Sequence, residues 1–389
     1  MNETLLAYQN KISNKLWGVV HVPHRGTKRG AVLISYIVSP FTKVPWEMGG
    51  DPHTNYWECR EIATLFTQRG YDVDIIDHNN TRFIPRKKYT VCVGSQHDME
   101  RLSKLLDPHC IKVMHIVSAD AAYHNAAERA RLDALEVRRG VRLAPQRKEP
   151  ESSGGVYADF LEGFGNATIR ATYAQYNKNI YPIPESVSQM FAFPERKDFN
   201  AARKVFLWFG GGGAVHKGLD LILEAWNQLP PEYHLHIVGP VQAEKDFMQA
   251  YKKELSLPHV TMHPRPKLNK VGVMMVGDVS FSDIANECAA LLYLSCSEGT
   301  SGAVIQAMHA GLIPIITPQS GIDEAAPCII LEHPTVESVL ETVHDFREIS
   351  SDELKSRARS VWSFARAHHT KEAFSRAYDT FITDVLKLP

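Results

Sequence analysis

The 389-residue chain holds six cysteines, at 59, 92, 110, 288, 296 and 328, and no two of them stand in CxxC spacing. Neither a zinc site nor a disulfide framework fits that scatter. The thiols in VCVG, CIKV and CIIL read as small buried hydrophobes in a reducing, cytoplasmic setting. Long apolar runs are also missing, and none approaches the ~20 residues of a membrane span. The first residues (MNETLLAYQNKISNKLWGVV) lack the apolar core and small-residue site of a secretion signal. Charge of one sign is not in excess: 43 Lys and Arg face 44 Asp and Glu, a formal net charge of −1. Without a basic field, non-specific nucleic-acid binding is excluded.

What remains is 44% apolar and 22% charged, the composition of a soluble globular protein. A chain of this length exceeds one ordinary core, so two domains are expected. Short apolar runs alternate with helical patterns throughout, which predicts βα units and parallel sheets. Strands are expected over 30–37, 71–77, 89–94 and 110–117, then over 204–209, 233–239, 259–263, 291–295, 312–317 and 328–331. Helices are expected over 54–69, 98–106, 122–138, 217–229, 243–255, 301–310 and 335–347. The break lies near 182–203, where three prolines and a charge run interrupt the pattern. The expected division is therefore 1–195, 196–361 and a helical segment 362–389 that packs back toward the first domain. The polar stretch 140–156 (GVRLAPQRKEPESSGGV) reads as a mobile surface loop of the first domain.

The most informative stretch is FGGGGAVHKG, 209–218, between the apolar run KVFLWF and the amphipathic run LDLILEAWNQL. At a strand-to-helix turn, Gly211, Gly212 and Gly213 let backbone amides approach a ligand, and the helix N-terminus beyond favours an anion. Lys217 adds a full positive charge, so the turn reads as a phosphate cradle. It is not a P-loop, because no Gly-Lys-Ser/Thr follows. It is not a dinucleotide fingerprint either, because Val215 or His216 stands where the last glycine belongs. The plain alternative is a flexible loop, or glycines that serve only close packing.

A second such turn is SEGTSGAVIQAMHAGLIPIIT, 297–317. Glu298 ends a strand, and Thr300, Ser301 and Gly302 open an Ala-rich helix whose first amides suit an anion. The bland reading of Glu298 is a solvated carboxylate near a helix N-terminus. Amides donate to phosphate, whereas a carboxylate accepts from hydroxyls. Two anion-friendly turns, a lysine and a carboxylate therefore point to a nucleotide sugar.

These residues resemble the group 1 glycosyltransferases, which use nucleotide sugars with retention of configuration and have the GT-B fold. That fold is α/β, with two Rossmann-like domains facing a central cleft. The likeness is most specific over 204–320: Lys217-Gly218-Leu219-Asp220, Val238-Gly239, the Gly277-x-Val279 element near the nucleobase, and the Ser-Glu-Gly turn at Glu298. It implies that Lys217 neutralises the donor diphosphate and that the amides of Thr300, Ser301 and Gly302 bind phosphate or sugar oxygens. It further implies that Glu298 binds donor-sugar hydroxyls. Two departures stand out. The family's second glutamate is Gln306 here, at the ribose position, and the usual arginine of the first turn is replaced by Gly211 or Gly212. One positive charge must then come from elsewhere, with His216 a candidate.

On the acceptor side, the resemblance makes Gly50 a residue whose amide reaches the sugar or phosphate, with a plain turn as the alternative. His115 faces the cleft by the same likeness, with His124 and Asn125 as competitors, and Asn166 opens a loop-to-helix turn. Arg138 and Arg139 are either a solvated face or a contact for an anionic acceptor. The expected activity moves a hexosyl or deoxyhexosyl group from a nucleotide-diphosphate sugar to an acceptor hydroxyl, a glycan or other. No cofactor or metal is expected, and no membrane association beyond a peripheral one. The alternatives are a nucleotide-sugar-binding relative without turnover and a GT-B sugar-nucleotide epimerase.

Overall fold

The computed structural model describes residues 3–43 and 53–388. Seven strands build the first sheet: β1 (Val19–Val22), β2 (Gly30–Tyr36), β3 (Tyr71–Asp77), β4 (Val91–Ser95), β5 (Ile111–Ile116), β6 (Phe160–Gly163) and β7 (Ile180–Pro182). Their spatial order is β1-β3-β2-β4-β5-β6-β7, parallel except for the antiparallel edge strand β1. β2, β3 and β4 are buried along nearly their whole length. Helices cover both faces of such a sheet, which is why these strands read as continuous apolar runs without polar alternation.

The second half contributes β8 (Val205–Phe209), β9 (His234–Val238), β10 (Val260–His263), β11 (Lys267–Leu268), β12 (Met274–Val276), β13 (Val279–Ser280), β14 (Ala290–Tyr293), β15 (Ile313–Ile316) and β16 (Ile329–Ile330). Six of these form a parallel sheet in the order β10-β9-β8-β14-β15-β16, while β11, β12 and β13 make a small antiparallel sheet beside it. From β8 the chain winds one way to β9 and the other way to β14. The crevice beyond the carboxyl ends of β8 and β14 is therefore the topological switch point, where open α/β sheets bind ligands. Both glycine-containing turns leave from those two strands.

The expected strands are all present within a residue or two at most ends. β1, β6, β7 and the β11–β13 hairpins were not expected. β6 reads FLEG and β7 reads IYP, too short and too polar or Pro-marked to signal a strand. The helix expected over 243–255 is split at Tyr251 into Lys245–Ala250 and Lys252–Leu255.

After the helix Ser351–His368 the chain crosses back to the first sheet. In the helix Lys371–Thr380 and the turn Phe381–Val385, the side chains of Phe374, Tyr378, Phe381 and Ile382 lie in the first domain's core. Phe374 meets Trp57 edge-on at 5.7 Å, and Arg69 donates to Asp379 at 2.6 Å. His369 anchors the crossing: its carbonyl accepts from His309 Nε2 at 2.8 Å and its Nδ1 pairs with the Glu185 carbonyl at 3.2 Å.

The helix Ala121–Arg139 struts the two sheets' domains together. It begins under the Asp120 cap, which accepts from Ala122 at 3.1 Å, and stops at Gly140 in the left-handed region. Arg138 reaches Asp220 at 2.6 Å and Glu224 at 3.1 Å, and Arg139 reaches Glu254 at 2.7 Å. The run 128–140 is mostly exposed, Arg138 included, as a solvated helix face would be, while both arginines are engaged in these ion pairs to the second domain.

Candidate active site

The turn after β8 is shaped by what its glycines leave out. A Cβ on Gly210 would lie 3.0 Å from Lys217 Cδ, so the glycine clears a path for the lysine. Gly218 has φ +73°, and a Cβ there would lie 2.6 Å from Leu294 Cβ, so the helix Leu219–Trp226 can start tight against the end of β14. Lys217 thereby comes out 4% exposed, and its Nζ forms an ion pair with Glu298 Oε1. The same oxygen accepts from Tyr293 Oη at 2.7 Å and Ser295 Oγ at 3.0 Å. Burial pushes the Glu298 carboxyl up in pKa, but the ammonium of Lys217 more than reverses this and holds it ionised well below the usual carboxylate range. The Lys217 ammonium is itself lowered, by burial first, with Glu298 opposing. The two residues that the sequence named for a donor site stand side by side.

The rest of the cradle is organised differently from expectation. The amides of Gly213 and Ala214 donate to the Glu244 carboxylate, Gly213 at 2.6 Å and Ala214 at 3.1 Å to both oxygens. Gly212 faces the same carboxylate, a would-be Cβ standing 3.9 Å from Glu244 Oε1, while Gly211 borders open space. In the second turn, the Ser301 amide donates to the Ser320 carbonyl at 3.0 Å. Thr300 Oγ1 accepts from the Gly165 amide of the first domain at 2.9 Å and donates to the Gly321 carbonyl at 3.1 Å. Gly302 opens the helix Gly302–His309, and a Cβ there would lie 2.5 Å from Glu185 Oε1.

Gln306 is 3% exposed and closes a two-way contact with the interdomain linker. Its Nε2 donates to the Gln189 carbonyl at 2.7 Å and its Oε1 accepts from the Gln189 amide at 3.2 Å. Gln189 Oε1 in turn accepts from the Met274 amide at 2.7 Å, tying β12 to the linker. Gly277, with φ +63°, sits in the tight turn between β12 and β13, and Val279 is 44% exposed on the latter. Gly50 lies outside the described residues.

His115 is buried in the first domain, where Nδ1 pairs with Glu162 Oε1 at 2.8 Å. The Tyr36 and Phe164 rings meet it edge-on at 5.1 and 5.6 Å. Burial lowers its pKa, and the neighbouring Glu162 carboxylate more than offsets that, leaving it raised. Its bonding is to this internal network, not to the Lys217–Glu298 pair. Asn166 Oδ1 accepts from the Ile169 amide at 3.0 Å as a helix cap, while its Nδ2 donates across the cleft to Pro318 and Ile322 carbonyls at 2.9 and 3.1 Å.

His216 does not supply the missing charge. Its ring is fully enclosed, Nε2 bonds the Ser297 carbonyl at 2.6 Å, and burial with the adjacent Lys217 pushes its pKa down to about 3. His124 lies over it at 4.8 Å and bridges Ser297 Oγ (3.0 Å) to the Arg147 carbonyl (2.7 Å).

The polar stretch 140–156 is likewise tied down instead of lying free. The Glu128 carboxylate accepts from the Gln146 and Arg147 amides at 3.0 Å each, and Asn125 bonds Glu149 through both backbone groups at 2.8 and 2.9 Å. The strap this creates brings Arg147 onto Gly213. Sequence patterning gave no signal for Arg147, Glu244, Glu128 or Glu185, because each acts through a partner distant along the chain. Only the polar composition of 140–156 marked the strap at all.

The model of the family Glycosyl transferases group 1 matches residues 203–344, which contain both turns. No curated protein matches the chain by sequence. Among solved structures, sucrose-phosphate synthase from Thermosynechococcus elongatus is similar at TM-score 0.63 and 12% identity, over 93% of this chain and 100% of that one. HepE of Anabaena, solved with UDP and glucose, is similar at TM-score 0.55 and 10% identity, over 92% of this chain and 100% of that one. TarM is a longer protein, matched at TM-score 0.49 and 11% identity over 74% of this chain but only 53% of its own length. The two parallel α/β domains facing a cleft have the GT-B fold, and within the second of them residues 203–344, which carry both turns, match the family of group 1 glycosyltransferases.

Proposed function

We propose that the chain transfers a sugar from a nucleotide-diphosphate sugar to an acceptor hydroxyl, and that Lys217 and Glu298 form the donor site. The observation that carries this reading is their direct ion pair at the switch point between β8 and β14. In donor binding, the ammonium exchanges its carboxylate partner for the diphosphate, and the freed Glu298 accepts hydrogen bonds from sugar hydroxyls. Departure of the nucleoside diphosphate builds negative charge beside Lys217 and the start of the helix Gly302–His309. Pre-placed donors there stabilise the transition state. Tyr293 and Ser295 keep Glu298 oriented through the exchange. HepE, solved with UDP and glucose, supports this class of donor. Retention of configuration rests on the family likeness, and a cytoplasmic setting on the six unpaired cysteines.

A second reading has its own observation. The amides of Gly213 and Ala214 are bonded to Glu244, and Gln306 is bonded to the linker. A relative that binds a nucleotide sugar without transferring it would have this economy of free groups. Incubating the enzyme with UDP-, GDP-, ADP- and dTDP-sugars and a mixed panel of glycan acceptors separates the two. Acceptor-dependent release of one nucleoside diphosphate is expected. Tight donor binding with no release on any acceptor would favour the second reading, and product from donor alone would indicate an epimerase.

A further inference from the structure

We infer that Arg147, carried by the first domain, is the second cation of the donor diphosphate site, so that both domains together bind a nucleoside diphosphate. The inference rests on the nucleotide-sugar reading of Lys217 and Glu298.

Gly213, in the middle of the β8 turn, has φ +90°, and a Cβ there would stand 2.6 Å from Arg147 Cγ and 3.1 Å from Cδ. The arginine's stem thus crosses the glycine turn, in space that a side chain at 213 would fill. Its Nε is buried without a hydrogen-bond partner among the described residues. A buried guanidinium N–H left unbonded is costly, and the cost is recovered when an anion arrives.

The guanidinium is also electrostatically part of the site. Its charge helps hold Glu298 ionised and Tyr293 less raised, and it adds to the lowering of the Lys217 ammonium. Two cations, Lys217 and Arg147, face the Glu298 carboxylate, while the nearby Glu244 carboxylate is taken up by the Gly213 and Ala214 amides. A diphosphate satisfies the two cations better than the internal pair does, and a guanidinium fork suits two phosphate oxygens at once.

The loop geometry is built to keep the arginine there. The Arg147 amide donates to Glu128 at 3.0 and 3.2 Å, and its carbonyl bonds His124, which reaches on to Ser297, the neighbour of Glu298. One continuous chain of contacts thus runs from the first domain's helix through Arg147 to the turn that bears Glu298. The turn itself has glycines at 211 and 212, so no side-chain cation comes from there.

The test uses the full-length protein and whichever of UDP, GDP, ADP and dTDP raises its Tm most. Arg147→Ala is expected to weaken that nucleoside diphosphate by at least about tenfold, and the matching nucleoside by less than about twofold, since only charge-assisted bonds to phosphate are lost. Gly211 has open space around a would-be Cβ and no positive φ, so Gly211→Arg in the Arg147→Ala background is expected to restore most of the loss. If Arg147→Ala does not fold, Arg147→Lys carries the same comparison, with a smaller but still diphosphate-selective loss. Equal losses for nucleoside and diphosphate would overturn the inference, as would wild-type diphosphate affinity in Arg147→Ala while Lys217→Ala has lost it. Wild type that binds none of the four diphosphates would instead overturn the nucleotide-sugar reading, and this inference with it.

Discussion

The carboxylate of Glu244 accepts a 2.6 Å hydrogen bond from the amide of Gly213, and its two oxygens share the amide of Ala214 at 3.1 Å. An internal anion therefore sits on the outer half of the glycine turn, while Lys217 points from the inner end toward Glu298. Burial raises the Glu244 carboxyl, and the two amides pull it back.

Glu244→Ala should cost about 1–3 kcal/mol, because two buried amides lose their acceptor. Urea denaturation measures the loss. The vacated amides form a concave donor group suited to an oxyanion. Inorganic phosphate at millimolar concentration should therefore raise the Tm of Glu244→Ala more than that of wild type.

Gln306→Glu should destabilise the fold by about 1–3 kcal/mol, because the Nε2 donor to the Gln189 carbonyl becomes a carboxylate facing that carbonyl. The same change should leave nucleotide affinity no better, since the side chain is engaged with the linker. Thermal unfolding and a nucleotide titration of this single variant check both halves.

Stability should fall as pH drops from about 6.5, the ordinary histidine value, before carboxylates titrate. His216 is pushed down to about 3 and His236, His309 and His369 to about 4, in each case by burial first. At these four positions the unfolded chain binds more protons than the native one below pH 6.5, so they favour unfolding progressively down to their folded pKa values. His97 and His115, which are raised, contribute in the opposite direction. Urea midpoints at pH 8, 6.5 and 5 should decline over the lower interval. His216→Gln should flatten part of that decline relative to its own value at pH 8, and identical slopes would contradict the buried-neutral assignment.

Much of this was legible along the chain, and the reason is local. β2, β3, β8 and β14 are buried on both faces and so announce themselves as apolar runs. Lys217 and Glu298 each sit on a strand-to-helix turn marked by glycines. What escaped notice depends on contacts between distant segments. Arg147 lies in a polar stretch that looks like a free loop until Glu128, Asn125 and His124 are seen to pin it. Glu244 is one acidic residue among 44 Asp and Glu, and only folding puts it on Gly213. His216, read as a spare charge beside Lys217, is neutral because burial outweighs any use for its proton. Gln306, read at a ribose position, spends both its polar atoms on the linker at Gln189.

The central claim is that Lys217, paired with Glu298, holds and activates a nucleotide-diphosphate sugar. Its most direct test is acceptor-dependent release of nucleoside diphosphate from a UDP-, GDP-, ADP- and dTDP-sugar panel, measured for wild type and Lys217→Ala side by side. The expected result is turnover of one donor by wild type and a loss of at least about 100-fold in the variant, the scale for removing a preorganised charge from a transition state. Circular dichroism should show the variant still folded. Turnover by Lys217→Ala within a few-fold of wild type would contradict the account.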